Sequence, residues 1–208
     1  MNYRSQSIAA CCFLFSLIIF YQCNEKRSPS ADQTTANAIS PMKNEYNGFN
    51  SQVAWGEHLV IIGGCHDCHT PKKMSAHGPV LDSALWLSGH PSQNPPLDVN
   101  RSEIEAKGLA VTSDLTEWAG PWGVSYTANL TPDPTGIGSW TEEQFIYCLR
   151  NGKLKGLAGS RALLPPMPWE MSGQMTDNEL KAVFAYLKSI RPISNLVPAP
   201  LPPLTAMK

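Results

Sequence analysis

Charge is scarce and balanced in this chain. Only 16% of its 208 residues are charged and the formal net charge is -1, so nothing in its charge argues for nucleic acid or an acidic membrane surface as a partner. Long apolar runs are missing too. A spanning helix needs about 20 apolar residues, whereas the run Ile8 to Phe20 has thirteen. Cysteines do not suffice for a disulfide framework. Cys11, Cys12 and Cys23 fall in the leader, Cys65 and Cys68 form a motif of their own, and Cys148 remains. Outside that motif there is no second C-x-x-C or H-x-x-H cluster to supply the remaining ligands of a four-coordinate zinc site.

What is present is one stretch, Cys65-His66-Asp67-Cys68-His69. C-x-x-C-H is the attachment signature of c-type haem. Two thiols three positions apart can add to the two vinyl groups of one porphyrin, and the following imidazole then serves as the proximal iron ligand. A thioredoxin-like redox pair would need a βαβ context, and the flanking pattern here is helical.

The N-terminus has the form of a targeting segment. Arg4 supplies a basic start, and the apolar run closes at Tyr21-Gln22-Cys23. A cysteine there resembles the lipid acceptor of bacterial lipoproteins, although Tyr21-Gln22 departs from the usual small residues. A non-lipidated export signal and an uncleaved anchor stay open. Each reading puts the domain outside the cytoplasm, on the periplasmic side. Residues 1–23 are therefore expected to be a signal or lipoprotein leader, with membrane attachment through Cys23. Residues 24–49 lack periodicity and are expected to be a flexible polar tether.

The expected fold is all-α, with about three main helices and long loops around one covalently bound haem. Asn50 or Ser51 can cap a first helix running from about 52 into the haem motif, with Val53, Gly56, Val60 and Gly63 at helical spacing. Gly56 costs about 1 kcal/mol of helix stability against Ala, a cost that a close helix crossing would explain. Thr141 with Gln144 opens a second helix with Phe145, Cys148 and Leu149 on its apolar face, and Gly152 stops it. Cys148 should be a buried, inert thiol. Thr176 with Glu179 opens a third, carrying Leu180, Val183, Phe184 and Leu187 at i, i+3, i+4, i+7 and ending at Pro192. Residues 50–192 form the expected domain. The Pro-rich tail 193–208 is either an extended strap or a disordered end. Between 71 and 139 the turn formers His77-Gly78-Pro79, Asn94-Pro95-Pro96 and Gly120-Pro121 leave a long connection, whose expected role is to wrap a large flat cofactor.

Candidates for a second axial ligand are Met74, His77, His90, Met167, Met171 and Met175. Met74 and His77 lie too close to His69 to reach the opposite face. Met167 stands in Pro165-Pro166-Met167-Pro168-Trp169, where the prolines hold the backbone extended and suit a fixed thioether.

The helix ending in the haem motif, Gly78-Pro79, Pro-Met-Pro-Trp and the closing Ala185-Tyr186-Leu187 together resemble a class I, single-haem cytochrome c. Ala128-Asn129-Leu130-Thr131-Pro132-Asp133 with Thr135-Gly136-Ile137-Gly138-Ser139-Trp140 is similar to bacterial cytochromes c that accompany periplasmic dehydrogenases. The resemblance implies thioether links at Cys65 and Cys68, His69 as proximal and Met167 as distal ligand. It also implies that the Pro79 carbonyl accepts the N–H of the proximal imidazole and that Gly56 packs near Tyr186. Arg161, Trp122, Tyr126 and Trp140 are candidates for the haem propionates.

A doubly ligated iron has no vacancy for substrate, so the expectation is a one-electron carrier, not an enzyme, with redox proteins of dehydrogenase or oxidase chains as partners. The alternatives are a haem sensor or gas-binding module with an open sixth position, a haem peroxidase using His77 or His90, and an electron-transfer subunit of a dehydrogenase complex.

Overall fold

The structure is a computed structural model that describes residues 45–207. The leader 1–23 and most of the tether lie outside the described residues.

Ser51 caps the first helix, its side chain accepting from the Ala54 N–H at 3.1 Å. The helix, α1 (Gln52–Ile62), buries Trp55, Gly56, Leu59 and Val60. Val53 is instead 39% exposed, so the buried stripe lies one step round from the expected one. The helix does not run on into the haem motif. Gly64 takes φ +63, a left-handed turn that costs glycine little, and α2 (Cys65–His69) starts afresh beyond it.

Both expected capping boxes form. Thr141 and Gln144 open α4 (Glu142–Asn151), and Thr176 and Glu179 open α6 (Asp177–Ser189). The buried faces are those the periodicity marks: Phe145, Cys148 and Leu149 on α4, and Leu180, Val183, Phe184 and Leu187 on α6. These side chains meet Trp55, Leu59 and Val60 in the main core, which Leu87 and Ile137 complete. Phe145 and Phe184 stack there with centroids 5.3 Å apart. Tyr46 and Phe49, assigned to the tether by composition, also pack against this core.

Helices α1 and α6 cross at Gly56. A Cβ built there would lie 1.9 Å from the Ala182 carbonyl oxygen and 2.9 Å from the Tyr186 Cβ. The glycine is what lets the two backbones approach.

The fold is not purely helical. Residues 71–128 contain two antiparallel hairpins that periodicity did not reveal. In one, β1 (Lys72–Ser75) pairs with β2 (Gly78–Leu81). In the other, β3 (Glu117–Gly120) pairs with β4 (Gly123–Tyr126) in the register Trp118 to Ser125 and Ala119 to Val124. Four-residue strands are too short to display an alternating pattern. Between the hairpins, α3 (Arg101–Lys107) lays Ile104 on Ala119 and Val124, a second and smaller core. Part of this segment therefore packs against itself instead of serving only as a wrap. A single turn, α5 (Trp169–Ser172), follows the Met167 segment.

The tail is a strap. Leu201 pairs with Val124 as an isolated bridge, the Arg101 guanidinium donates to the Pro202 carbonyl at 2.7 Å, and the Leu204 N–H donates to Glu105 at 2.8 Å. Arg101 and Glu105 are themselves paired at 3.0 Å.

His90 sits at the inner edge of the smaller core, 3% exposed, with its ring 4.9 Å from Tyr126. Its Nδ1 lies 2.8 Å from the Thr116 hydroxyl, which donates its own proton to the Asp114 carboxylate at 2.8 Å. Thr116 must then accept, so Nδ1 carries the hydrogen of a neutral imidazole. Burial holds His90 below its ordinary pKa, against the opposing pull of Glu117 and Asp114.

Both packings can be tested. Gly56→Ala should destabilise the haem-bearing protein by about 1–3 kcal/mol despite the helix propensity it adds; a denaturant midpoint equal to wild type would show that the crossing has slack. Because His90 takes up its proton more readily unfolded than folded, its contribution to stability is intact above pH 6.5 and shrinks as pH falls below that value. Unfolding followed from pH 7.5 to 5 should show a shallower decline in His90→Gln, and equal slopes would dismiss His90 as a source of the pH dependence.

Candidate haem site

Helix α2 places both thiols and the imidazole of the motif within little more than one turn. Cys65 and Cys68 are unpaired thiols. Burial pushes Cys65 up to about 11 and raises Cys68 as well. Among the described residues no group of three or more His, Cys, Asp or Glu side chains converges to hold a bare metal ion. Two free thiols three residues apart, followed at once by a buried imidazole, fit a porphyrin joined through two thioethers.

His69 is the buried member of the motif, 8% exposed. Its Nδ1 lies 2.8 Å from the Ala128 carbonyl oxygen. A carbonyl can only accept, so Nδ1 carries the hydrogen, and burial, the largest influence, holds the ring neutral. The Nε2 lone pair is thereby left uncommitted, with the ring orientation set by the backbone.

Pro79 does not fill the role the resemblance gave it. It lies exposed on β2, paired with Met74 across the hairpin. The residues between this proline and the ligand form a tight hairpin that turns away, and the acceptor comes from the chain 59 residues beyond His69. Ala128 carried a signal in the sequence, since it opens the quoted Ala-Asn-Leu-Thr-Pro stretch, but nothing local marked its carbonyl.

Further backbone bonds frame the histidine. The Gly89 N–H donates to the His69 carbonyl at 2.8 Å, the Leu87 N–H donates to the Thr70 hydroxyl at 3.0 Å, and the Leu130 N–H donates to the Leu87 carbonyl at 2.9 Å. His66 sets its ring edge-on to Trp86 at 4.9 Å, and the Trp86 indole donates to the Tyr186 hydroxyl at 3.2 Å. The motif is thus tied to α6 through an aromatic pair.

Met167 is partly buried and packs against the main core, as do Cys65 and Met175. Its amide donates to the Leu164 carbonyl at 3.3 Å, and its carbonyl accepts from Trp169 at 2.9 Å, so a short turn holds the residue. Met175 lies close to the motif: a Cβ on Gly63 would meet its Cε at 3.8 Å and the Cys65 Sγ at 3.6 Å. Met74 and Met171 are 79% and 68% exposed. His77 is exposed in the β1–β2 turn, and His90 belongs to the smaller core. Of the propionate candidates, Trp122 donates to Ser125 at 3.1 Å, Arg161 to the Ala162 carbonyl at 2.9 Å, Tyr126 stacks on His90 and Trp140 packs on the main core.

The chain matches no protein-family model. It is similar to the fructose dehydrogenase cytochrome subunit of Gluconobacter japonicus, with 29% identity over 169 residues, 80% of this chain and 25% of that protein. The cytochrome c subunit of the quinone alcohol dehydrogenase of Gluconacetobacter polyoxogenes is 38% identical over 141 residues, 67% of this chain and 22% of that protein. The gluconate 2-dehydrogenase cytochrome c subunit of Pantoea cypripedii is 32% identical over 141 residues, 67% of this chain and 23% of that protein. The chain spans a quarter or less of the length of these curated relatives. With the motif, the buried imidazole and the helical core in place, these matches make the chain a homologue of the cytochrome c subunits of bacterial dehydrogenases, at modest identity over most of its own length.

Proposed function

We propose that this protein is a one-electron carrier with a single c-type haem, joined covalently to Cys65 and Cys68 and ligated by His69 and Met167. The observation that carries the reading is the His69–Ala128 bond beside two unpaired thiols, which leaves the outer imidazole nitrogen free to bind iron. The haem supplies an iron that alternates between ferrous and ferric states.

The rest is the work of the chain. The Ala128 carbonyl keeps the imidazole in one tautomer and one orientation. The turn around Met167 presents a thioether from a segment that packs on the same core as Cys65. Ligands tied to one rigid core change position little between oxidation states, which favours rapid outer-sphere transfer. A thioether ligand favours the reduced form and raises the potential. Nothing in this scheme calls for an acid or base at the iron, and the protein is a carrier and not an enzyme.

The names of the relatives support partners among dehydrogenase components, and the present chain would relay electrons from such a subunit. Docking would be brief and through small, rather polar contacts. Export to the periplasmic side, with a lipid anchor on Cys23, belongs to the same reading and is supported by the basic start, the apolar run and the cysteine that closes it. Among the described residues no helix is long and apolar enough to cross a membrane.

A reduced-minus-oxidised spectrum and pyridine haemochrome of matured protein should report one covalent haem with a low-spin, six-coordinate iron. Met167→Ala should abolish the iron–sulfur absorption band and lower the potential. An unchanged spectrum in that variant, or carbon monoxide binding by the unmutated ferrous protein at neutral pH, would overturn the ligand assignment.

A further inference from the structure

Asn195, on the Pro-rich strap, uses every hydrogen-bonding group of its side chain. Its Nδ2 donates to the Ser88 carbonyl at 2.7 Å and to the His90 carbonyl at 2.9 Å, while its Oδ1 accepts from the Ser92 N–H at 3.1 Å. Its backbone N–H donates to the Thr135 hydroxyl at 2.9 Å.

The two carbonyls gripped by Nδ2 flank Gly89, and Gly89 touches both halves of the proximal pair. Its N–H donates to the His69 carbonyl at 2.8 Å. On the other side it takes φ +77 and lies so near Thr127 and Ala128 that a Cβ would sit 2.5 Å from the Thr127 oxygen and 2.7 Å from the Ala128 oxygen. The next residue, His90, donates its N–H to the Thr127 carbonyl at 3.0 Å. The strap also holds the acceptor side, since Asn129, adjacent to Ala128, donates to the Ile193 carbonyl at 2.8 Å. Residues 88–90 are therefore a wedge between the imidazole's main chain and its acceptor, and one amide from the strap fixes the wedge.

We propose that Asn195 is a positioning residue for the proximal ligand, setting the geometry of the His69 Nδ1–H···O=C Ala128 bond and through it the redox potential. This rests on the haem reading above. A short bond leaves the imidazole more electron-rich and favours ferric iron; a loosened wedge weakens the bond and makes the ferrous state easier to reach. A strap with a merely structural role would lower the unfolding midpoint and leave both bond and potential alone.

The test uses the full, haem-bearing protein, with redox titration and NMR of the ferrous state following exchange of the His69 Nδ1 hydrogen. In Asn195→Ala that exchange should quicken by about tenfold, the equivalent of losing one net hydrogen bond, and the potential should rise. Asn195→Asp, which turns a carboxylate oxygen toward two carbonyls, should quicken the exchange at least as strongly. Leu196→Ala, at a strap residue 74% exposed, should change neither. Should Asn195→Ala fail to mature, Asn195→Ser is read by the same two measurements. Wild-type exchange and potential in the Asn195 variants, with haem attached, overturn this proposal alone. An unmutated protein without covalent haem overturns the carrier reading and this inference with it.

Discussion

A single backbone carbonyl, that of Ala128, decides what the buried imidazole of His69 can do. Without an acceptor at Nδ1, a neutral histidine could place its hydrogen on either nitrogen and its ring at several angles. With that acceptor at 2.8 Å, one nitrogen is committed and the other presents a lone pair in a fixed direction. The remainder of the architecture explains how a carbonyl so distant in sequence reaches the right place. Helices α1, α4 and α6 supply a rigid wall, and loops 86–90 and 127–131 are laced to each other and to the strap by backbone and amide bonds.

The division of labour follows from physical chemistry. Helix packing buries apolar surface and fixes the wall at the Gly56 crossing, but a helix cannot easily present a main-chain carbonyl to a neighbour, because its own backbone acceptors are occupied. Loops have free carbonyls, at the cost of needing to be held. Asn129, Thr131 and Asn195 do that holding, with hydroxyl and amide groups that would look ordinary in any surface loop.

Helices α4 and α6 were legible with their caps and buried faces because each is encoded locally, whereas α1 was legible in its cap but not in its full buried stripe or its end. Capping boxes are reciprocal bonds three residues apart, and the stripe Leu180, Val183, Phe184, Leu187 is visible in any window of the right length. The haem motif was legible for the same reason. The hairpins were not, since strands of four residues such as Glu117–Gly120 show too few alternations and owe their pairing to the turn between them. Nor was the proximal acceptor. Pro79 stood where the family pattern suggested it, yet the long connection places it on an exposed hairpin and hands its role to Ala128. Backbone acceptors have no side-chain signature. The strap was visible as prolines, and the polar contacts that make it part of the domain depend on residues about 60 to 107 positions away.

Two hydrophobic clusters of unequal size also mean two scales of cooperativity. The smaller, around Ile104, Ala119 and Val124, is walled by short strands, one brief helix and an extended segment, elements that each contribute few apolar side chains. Such a sub-assembly can breathe while the helical wall stays closed, in the way that regions of a protein open with different free energies. Amide hydrogens in β3 and β4 would then exchange with solvent well before those of α6, and the motion would reach the larger core through the loops at 88–90 and 127–128 and through Ser125, whose hydroxyl donates to the Pro165 carbonyl at 2.6 Å.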